Sequence, residues 1–157
     1  MISSSSTDGW RQTHLGRLLD LASTRFEARV LALMAHDDAI ALSLAHLAAR
    51  GNLSASHIQI TRHLPLAGCS LTELATRAGI TKQAMGKLVD QCAAWDLVCR
   101  LPGQRDARTI RVVFTTSGEQ WLKAYQKAVQ QAEVEFGIAV GEDVATVVHL
   151  GLEAYGA

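Results

Sequence analysis

Side chains suited to binding phosphate groups and base edges are concentrated between residues 70 and 108. Hydroxyl, amide and basic groups share the outward N-terminal face of one short helical segment: Thr81, Lys82, Gln83 and Lys87. Helix N-termini and hydroxyls hold phosphate oxygens, whereas glutamine and lysine reach base edges in a groove. Arg105 and Arg108 follow in a polar loop, and paired arginines of this kind can enter a narrow minor groove. The chemistry that these residue types indicate is nucleic-acid binding.

Two short helices position this face, and local signals mark their ends. Ser70 followed by Glu73 is the pattern of a capping box at the start of the first helix. Gly79 can adopt the left-handed backbone that ends a helix, and Thr81 is a favourable N-cap for the second helix. Apolar residues at helical spacing give the second helix an inward stripe: Met85, Leu88, Val89 and Cys92. The segment therefore predicts a helix-turn-helix.

A two-stranded hairpin is predicted directly after the second helix. Residues 97–101 and 110–115 are strand candidates. In the second, Ile110, Val112 and Phe114 alternate with Arg111, Val113 and Thr115, which is a period of two. The polar, turn-rich loop between them carries Asp106, which we expect to orient Arg105 or Arg108 through a charge-assisted hydrogen bond. A helix-turn-helix followed by such a hairpin defines a winged helix-turn-helix, whose second helix usually enters a DNA groove.

The segment resembles the winged helix of the MarR family of bacterial transcriptional regulators. The resemblance covers residues 53–118 and rests on short motifs in a fixed order: Thr72-Glu73-Leu74-Ala75, Gly79, Leu88-Val89-Asp90, Leu97-Val98, Asp106-Ala107-Arg108 and Phe114-Thr115-Thr116-Ser117-Gly118. It implies a two-fold dimer formed by interlocking terminal helices. It also implies a small-molecule site between those helices and the winged helix.

The sequence departs from the family pattern at several positions: Gly86, Lys87, Gln91, Asp96 and Phe114. The family often has serine or threonine in place of Gly86, and a glycine where this chain has Asp96. Glycine inside a helix costs about 1 kcal/mol relative to alanine, so Gly86 suggests a close backbone approach. Arginine is common in the family where this chain has Lys87 and Gln91, which implies weaker or differently specified DNA binding.

These residues together predict a homodimeric transcriptional repressor whose DNA binding is relieved by a small-molecule effector. The repressor is expected to bind a pseudo-palindromic operator in double-stranded DNA through the 81–95 helix and the 102–109 wing. The predicted DNA contacts are Ser70, Thr72, Thr81, Lys82, Gln83, Ala84, Gly86, Lys87, Arg105, Asp106 and Arg108. The alternative is a winged-helix protein-interaction adaptor without specific DNA binding, because arginines are missing from the second helix. No enzyme, cofactor or metal site is predicted, since the sequence has no phosphate loop, nucleophile elbow or metal-ligand cluster.

Amphipathic helices are expected on both sides of the winged helix, and the first has one apolar stripe from residue 10 to about 36. Their apolar stripes exceed what a small winged helix can cover, so we expect terminal helices from two subunits to interlock. The fold class is mainly α with a small antiparallel β-wing. The predicted organisation is a disordered serine-rich tail (1–9), N-terminal dimerisation helices (10–52), the winged helix-turn-helix (53–118) and C-terminal dimerisation helices (119–157).

Charge is distributed unevenly, although 15 basic and 15 acidic residues give a formal net charge of zero. Residues 70–118 hold seven basic and four acidic residues, whereas residues 119–157 hold two basic and six acidic residues. A basic segment followed by an acidic one fits a DNA-binding region at 70–118 joined to a C-terminal segment with another role. The sequence shows no apolar signal-peptide core, no uncharged run of membrane-spanning length and no CxxC pair among its three cysteines. A cytoplasmic protein without a membrane partner is therefore expected.

Two modes of regulation are open. An anionic or aromatic effector could meet basic and imidazole groups outside the DNA-reading segment: Arg25, Arg29, His36, His46, His57 and His63. The other interpretation is that the arginines are solvated helix faces and the histidines are structural or exposed. Redox sensing would need a thiol with a lowered pKa, and Cys69, which precedes a helix start and is expected to be exposed, is the candidate. Cys92 is expected in the core, and no Cys/His pair has zinc-ligand spacing.

Overall fold

The computed structural model describes residues 9–40, 44–45, 60–103 and 109–156. Their helices and strands, in chain order, are α1 (Trp10–Thr13), α2 (Leu15–Met34), β1 (Cys69–Ser70), α3 (Leu71–Arg77), α4 (Lys82–Ala94), β2 (Val98–Pro102), β3 (Ile110–Phe114), α5 (Thr116–Val140) and α6 (Glu142–Gly156). Residues 44–45 and 60–63 are also helical. A mainly helical chain with a small antiparallel sheet confirms the predicted fold class.

The sheet has three strands in the order β1-β3-β2, and both pairings are antiparallel. β3 is central: its Val112 lies opposite Cys69 of β1 and Arg100 of β2. The predicted hairpin is confirmed, with β2 shifted by one residue from the expected 97–101. β1 was not predicted, because two residues carry no detectable alternation and their pairing with β3 depends on contacts far along the chain.

One hydrophobic cluster joins the winged helix to the flanking helices among the described residues. Met34 of α2, Leu74 of α3, Met85 of α4, Val112 of β3 and Trp121 of α5 are all buried in it. The cluster therefore runs across the predicted domain boundary between residues 118 and 119. α5 crosses the same boundary as one continuous helix, so the winged helix and the C-terminal helices share a rigid element.

The N-terminal helical stretch is divided, whereas the sequence predicts a single stripe from residue 10 to about 36. His14 has an extended backbone, with ψ of 150°, and its Nδ1 accepts a hydrogen bond from the Arg17 backbone N–H at 3.3 Å. The imidazole thus acts as the N-cap of α2, a role that usually falls to Ser, Thr, Asp or Asn. The prediction of one helix is wrong at this residue because capping replaces the continuing backbone hydrogen bonds.

Polar contacts hold α2 against α5. Arg29 donates two hydrogen bonds to the Glu135 carboxylate, at 2.7 Å and 2.8 Å, and Lys127 forms an ion pair with Asp37 at 3.1 Å. Asp37 also accepts from the Ala39 backbone N–H at 2.8 Å. These contacts fix the position of α2 along α5.

Arg62 adds a further link between helices. Its guanidinium donates to the Tyr125 hydroxyl at 3.3 Å and to the Glu27 carboxylate at 3.1 Å. Residues from α2, from the helical stretch 60–63 and from α5 therefore meet at one side chain.

The last helix, α6, begins after Gly141 and contains no buried residue. Val147 is 69% exposed and Tyr155 is 83% exposed, and large apolar side chains at the other end of the described chain are similarly uncovered, with Trp10 and Leu15 both at 67%. The apolar stripes predicted at both ends are therefore present, and the described part of the chain leaves them largely uncovered. In the part of the chain that the structure describes, no helix is both long enough and apolar enough to cross a bilayer.

Candidate nucleic-acid interface

The turn between α3 and α4 is set by local signals that the sequence predicts. Gly79 has a φ of 65°, and the Ile80 backbone N–H donates to the Ala75 carbonyl at 3.1 Å, which closes the end of α3. The Thr81 hydroxyl oxygen accepts from the Ala84 backbone N–H at 3.2 Å and caps α4. The two helices of the motif are thus joined by a turn that fixes where the N-terminus of α4 points.

The two faces of α4 differ as predicted. Met85, Val89 and Cys92 are buried against the rest of the winged helix. The residues predicted to contact DNA near the start of α4 are exposed: Thr81, Lys82, Gln83, Ala84 and Lys87. Within the described part of the chain, neither lysine forms an ion pair, so both ammonium groups are available to an anionic partner.

Gly86 lies on the same face, half-buried beside α3. A Cβ placed on it would have one neighbour within 4 Å, the Cδ2 atom of Leu71 at 3.8 Å, which is an ordinary van der Waals distance. Its backbone is helical, so no unusual φ requires a glycine. Neither packing nor backbone geometry within the described residues explains the glycine.

Asp90 puts a carboxylate on the exposed side of α4, where phosphate would repel it. Arg100 of β2 donates a hydrogen bond of 2.5 Å from Nη1 to the Asp90 Oδ1 atom. The pair neutralises the carboxylate and ties the base of the hairpin to α4. The sequence analysis does not assign Arg100 a role, because a contact between a helix and the following strand leaves no periodic signal in either element.

The N-terminus of α3 carries the other two predicted contacts, Ser70 and Thr72. Ser70 caps the helix by accepting from the Glu73 backbone N–H at 3.2 Å, and Thr72 is exposed. The Glu73 carboxylate accepts from Arg77, at 3.1 Å from Nε and 2.7 Å from Nη2. The Glu73 carboxylate therefore binds Arg77, one turn further along the helix. Of the two contacts of a capping box, the one that the structure describes is the bond from the Glu73 N–H to Ser70.

The two strands of the hairpin stay paired up to the start of their connecting loop, and the tip of the loop lies outside the described residues. The Gly103 backbone N–H donates to the Thr109 carbonyl at 2.7 Å, immediately before and after the loop. Arg105, Asp106 and Arg108 are in the undescribed loop, so their roles stay predictions. Arg111, which the sequence analysis leaves without a role, donates from Nη2 to the Ala67 carbonyl and ties β3 to the segment before α3.

Asp96 occupies the position where the resembling family usually has a glycine, and its φ is 58°. The Leu97 backbone N–H donates to the Cys92 carbonyl at 2.9 Å, so Asp96 is the left-handed residue that ends α4. Its carboxylate accepts from the Ser117 hydroxyl at 2.9 Å, and its carbonyl accepts from the Thr115 hydroxyl. These bonds attach the end of α4 to the start of α5.

The prediction that Cys69 is exposed is wrong. Cys69 is buried in β1, where it pairs with Val112, and burial together with the nearby Glu73 carboxylate raises the pKa of its thiol. A raised pKa disfavours the thiolate that redox sensing needs. Cys92 is buried as predicted, and burial raises the pKa of its thiol to about 12.

The structure describes four of the six residues considered for an effector, Arg25, Arg29, His36 and His63, and the roles of all six stay predictions. Arg25 is exposed and His63 is half-buried, while His46 and His57 lie outside the described residues. Arg29 is bound by Glu135, which raises the pKa of the guanidinium.

An open groove of about 420 Å³ lies between α2 and α5, lined by Leu33, His36, Asp37, Lys127, Ala128, Gln130, Gln131 and Val134. No group of three or more metal-ligating side chains occurs among the residues that were placed.

Solved structures with the same fold are transcriptional regulators. The repressor CouR, bound to a 23-mer DNA duplex, has 22% identity and a TM-score of 0.68 over 98% of this chain and 100% of its own. Apo MarR from E. coli has 21% identity and a TM-score of 0.63 over 90% and 97% of the two chains. Rv2887, a MarR family protein from Mycobacterium tuberculosis in complex with p-aminosalicylic acid, has 20% identity and a TM-score of 0.62 over 92% and 100%. No protein-family model and no curated protein matches the sequence.

The fold and the exposed face of α4 define a winged helix-turn-helix protein. More narrowly, the chain has the fold of the MarR family of transcriptional regulators, and the family resemblance of the sequence is confirmed at the level of the fold.

Proposed function

We propose that the protein is a DNA-binding transcriptional regulator that acts as a homodimeric repressor. The observation that carries this proposal is the N-terminal half of α4, whose exposed face holds Lys82, Gln83 and Lys87 on a capped helix with a buried opposite face. Such a face supplies positive charge and a helix N-terminus for phosphates together with side chains that can reach base edges.

In this proposal, a two-fold dimer gives the small DNA-binding region its sequence specificity. Two copies of α4 would enter successive major grooves about one helical turn apart on a pseudo-palindromic site, with each 102–109 wing beside a minor groove. The dimer would then cover a promoter and exclude polymerase. A protein that binds a promoter acts where the chromosome is, which makes the cytoplasm its proposed location.

The exposed apolar side chains at the two ends of the chain support the dimer. Unpartnered apolar helix faces must be buried somewhere, and α6 together with the start of α2 offers such faces on one molecule. We assign residues 10–52 and 119–157 to dimerisation and residues 53–118 to DNA binding.

Relief by a small molecule is the proposed mode of regulation. The groove between α2 and α5 is next to the contacts that hold these helices together, so a ligand there would act through unequal affinity for two helix arrangements. Lys127 and His36 line this groove and suit an anionic or aromatic compound, which would compete with Asp37 for the Lys127 ammonium group. Regulation of DNA binding, rather than catalysis, is the activity that we assign.

The adaptor without DNA binding is the less favoured alternative. The two exposed lysines of α4 are unpaired within the described part of the chain, and Arg100 neutralises the nearby carboxylate of Asp90. This charge arrangement favours contact with an anionic partner such as DNA over the adaptor.

Fluorescence anisotropy against the intergenic DNA upstream of the gene, in a salt series and with scrambled competitor, tests the proposal. We expect tight, competitor-resistant binding whose affinity falls steeply with salt, because phosphate contacts release counterions. A selection from random DNA extends the test to a distant operator. Weak binding that is equal on all duplexes after that selection would favour the adaptor.

Lys87→Ala and Arg108→Ala test the assigned contacts. Each should weaken operator binding, and each should lower the salt slope by about 1 if the lost contact is to phosphate. Lys123→Ala, which changes an exposed lysine of α5 outside the proposed interface, is the matched control. Unchanged binding in both test variants, with circular dichroism showing them folded, would refute these roles.

A further inference from the structure

Gly86 lies in the interior of α4, where glycine is the least favourable ordinary residue. Two other glycines of the winged helix have a structural reason. Gly79 has a positive φ, and a Cβ on Gly118 would lie 1.9 Å from the Leu97 carbonyl oxygen. Gly86 has a helical backbone, and a Cβ there would only touch the Leu71 side chain at 3.8 Å. The fold of the described residues therefore does not require the glycine.

The position of Gly86 on α4 suggests where the reason lies. Lys82 and Gln83 are one turn before it and Asp90 is one turn after it, and all three side chains are exposed. The missing side chain leaves a shallow notch in the middle of this polar face, with the helix backbone at its floor. Since the Asp90 carboxylate is paired with Arg100, the surroundings of the notch do not repel DNA strongly.

We propose that Gly86 is a specificity-determining residue, whose notch receives the C5-methyl group of a thymine in the major groove. The inference rests on the proposed function, because it assigns a base contact to the same helix face. A thymine methyl is the one apolar group that bases present in the major groove, and apolar surface is what a bare Cα offers. A base without the methyl leaves the notch empty and loses its dispersion contacts.

The notch also sets the depth at which the helix enters the groove. Any side chain at position 86 would hold the backbone away from the base pairs and weaken the neighbouring base contact of Gln83. The same side chain would favour the folded helix, because it adds contact with Leu71 and removes the flexibility of glycine. Gly86→Ala is therefore expected to change stability and DNA affinity in opposite directions.

The experiment pairs a change in the protein with a change in the DNA. An operator is first selected from random duplexes with the wild-type protein, and each thymine is then replaced by uracil, which removes only the methyl group. We expect one thymine in each half-site at which uracil weakens wild-type binding by about tenfold. Gly86→Ala should bind the thymine operator about tenfold more weakly, bind the uracil operator more tightly than the thymine one, and melt about 3 °C higher.

Ala94→Gly is the control for helix propensity, since Ala94 is an exposed residue at the end of α4 that is not among the predicted DNA contacts. It should leave DNA binding unchanged. The slope of affinity against salt should be the same for wild type and Gly86→Ala, because phosphate contacts are not the ones lost.

Two results would overturn the inference in different ways. If Gly86→Ala binds the thymine operator as tightly as wild type, or if no thymine is sensitive to its methyl group, the notch has no such role while DNA binding stands. If the wild-type protein selects no sequence at all, the proposed function fails, and the contact with thymine fails with it.

Discussion

A single residue with a left-handed backbone, Asp96, joins the end of α4 to the start of α5. An L-residue with a side chain pays about 1–2 kcal/mol to adopt this backbone, and the bond from Ser117 partly offsets that cost. The sequence analysis notes only that a glycine is expected at this position. The structure explains the aspartate by a hydrogen bond that glycine could not make.

Asp96→Ala should destabilise the protein by about 1–2 kcal/mol, because it keeps the backbone cost and loses the Ser117 bond. Asp96→Gly should stay within about 0.5 kcal/mol of wild type, since the lost bond is offset by relief of the backbone. Urea denaturation measures both, and Ser117→Ala reports the hydrogen bond alone. Equal stabilities of the alanine and glycine variants would contradict the explanation.

The ion pair between Arg29 and Glu135 should shift the titration of the Glu135 carboxyl group to lower pH. Hydrogen bonds from Arg29 and Gln131 lower the pKa of Glu135 from 4.5 to about 2. A depressed carboxyl pKa adds stability that is present above pH 4.5 and is lost as the pH falls toward 2. Carboxyl NMR should show Glu135 still ionised at pH 3, and Arg29→Gln should return its pKa toward the ordinary range.

Arg25→Gln is the control for this titration, since Arg25 is an exposed arginine on the same helix. It should leave the Glu135 pKa where it is. A Glu135 pKa near 4.5 in the wild-type protein would mean that the pair does not persist in solution.

At the scale of elements, the start of α5 packs at Gly118 against the backbone of Leu97, just before β2. A Cβ on this buried residue would lie 1.9 Å from the carbonyl oxygen and 2.9 Å from the carbonyl carbon of Leu97. Gly118→Ala should destabilise the protein by about 2–4 kcal/mol, because backbone must shift to admit the methyl group. Thermal and urea unfolding measure the effect.

Gly137→Ala provides the comparison within the same helix. Its Cβ would meet the Glu142 carboxylate at 3.5 Å, an ordinary contact, so helix propensity should make the change neutral or stabilising by up to about 1 kcal/mol. Similar losses in both variants would show that the close approach at Leu97 is not what Gly118 serves.

Elements fixed by neighbouring residues could be predicted from the sequence, and those fixed by distant contacts could not. Thr81 and Gly79 mark the turn before α4 because a cap and a left-handed residue depend on only a few adjacent positions. β1 exists only because β3 pairs with it, and the burial of Cys69 follows from that pairing. The sequence therefore indicates the exposed face of α4 correctly and misjudges the thiol.

The candidate site shows the same division. The spacing of apolar residues separates the two faces of α4, so Lys82, Gln83 and Lys87 could be assigned from their positions alone. The link from Arg100 to Asp90 joins a strand to a helix, and periodicity within either element carries no sign of it.

At the scale of the whole molecule, the uncovered apolar surface of α6 predicts association. Val147→Glu places a charge on the proposed dimer face and should shift the protein from twice its chain mass toward 16.9 kDa in light scattering after gel filtration. Thr146→Glu, a neighbouring exposed polar position, should leave the dimer intact. A wild-type protein that runs as a monomer at micromolar concentration would contradict the assignment.

The single course of α5 from the wing to α6 has a mechanical consequence. A helix of 25 residues is about 37 Å long, so it acts as a lever between the DNA-reading end and the end that joins the partner. A tilt of about 5° at one end displaces the other by about 3 Å over this length. In the proposed dimer, a change of a few degrees in the angle between the two copies of α5 would therefore alter the spacing of the two α4 helices relative to successive major grooves.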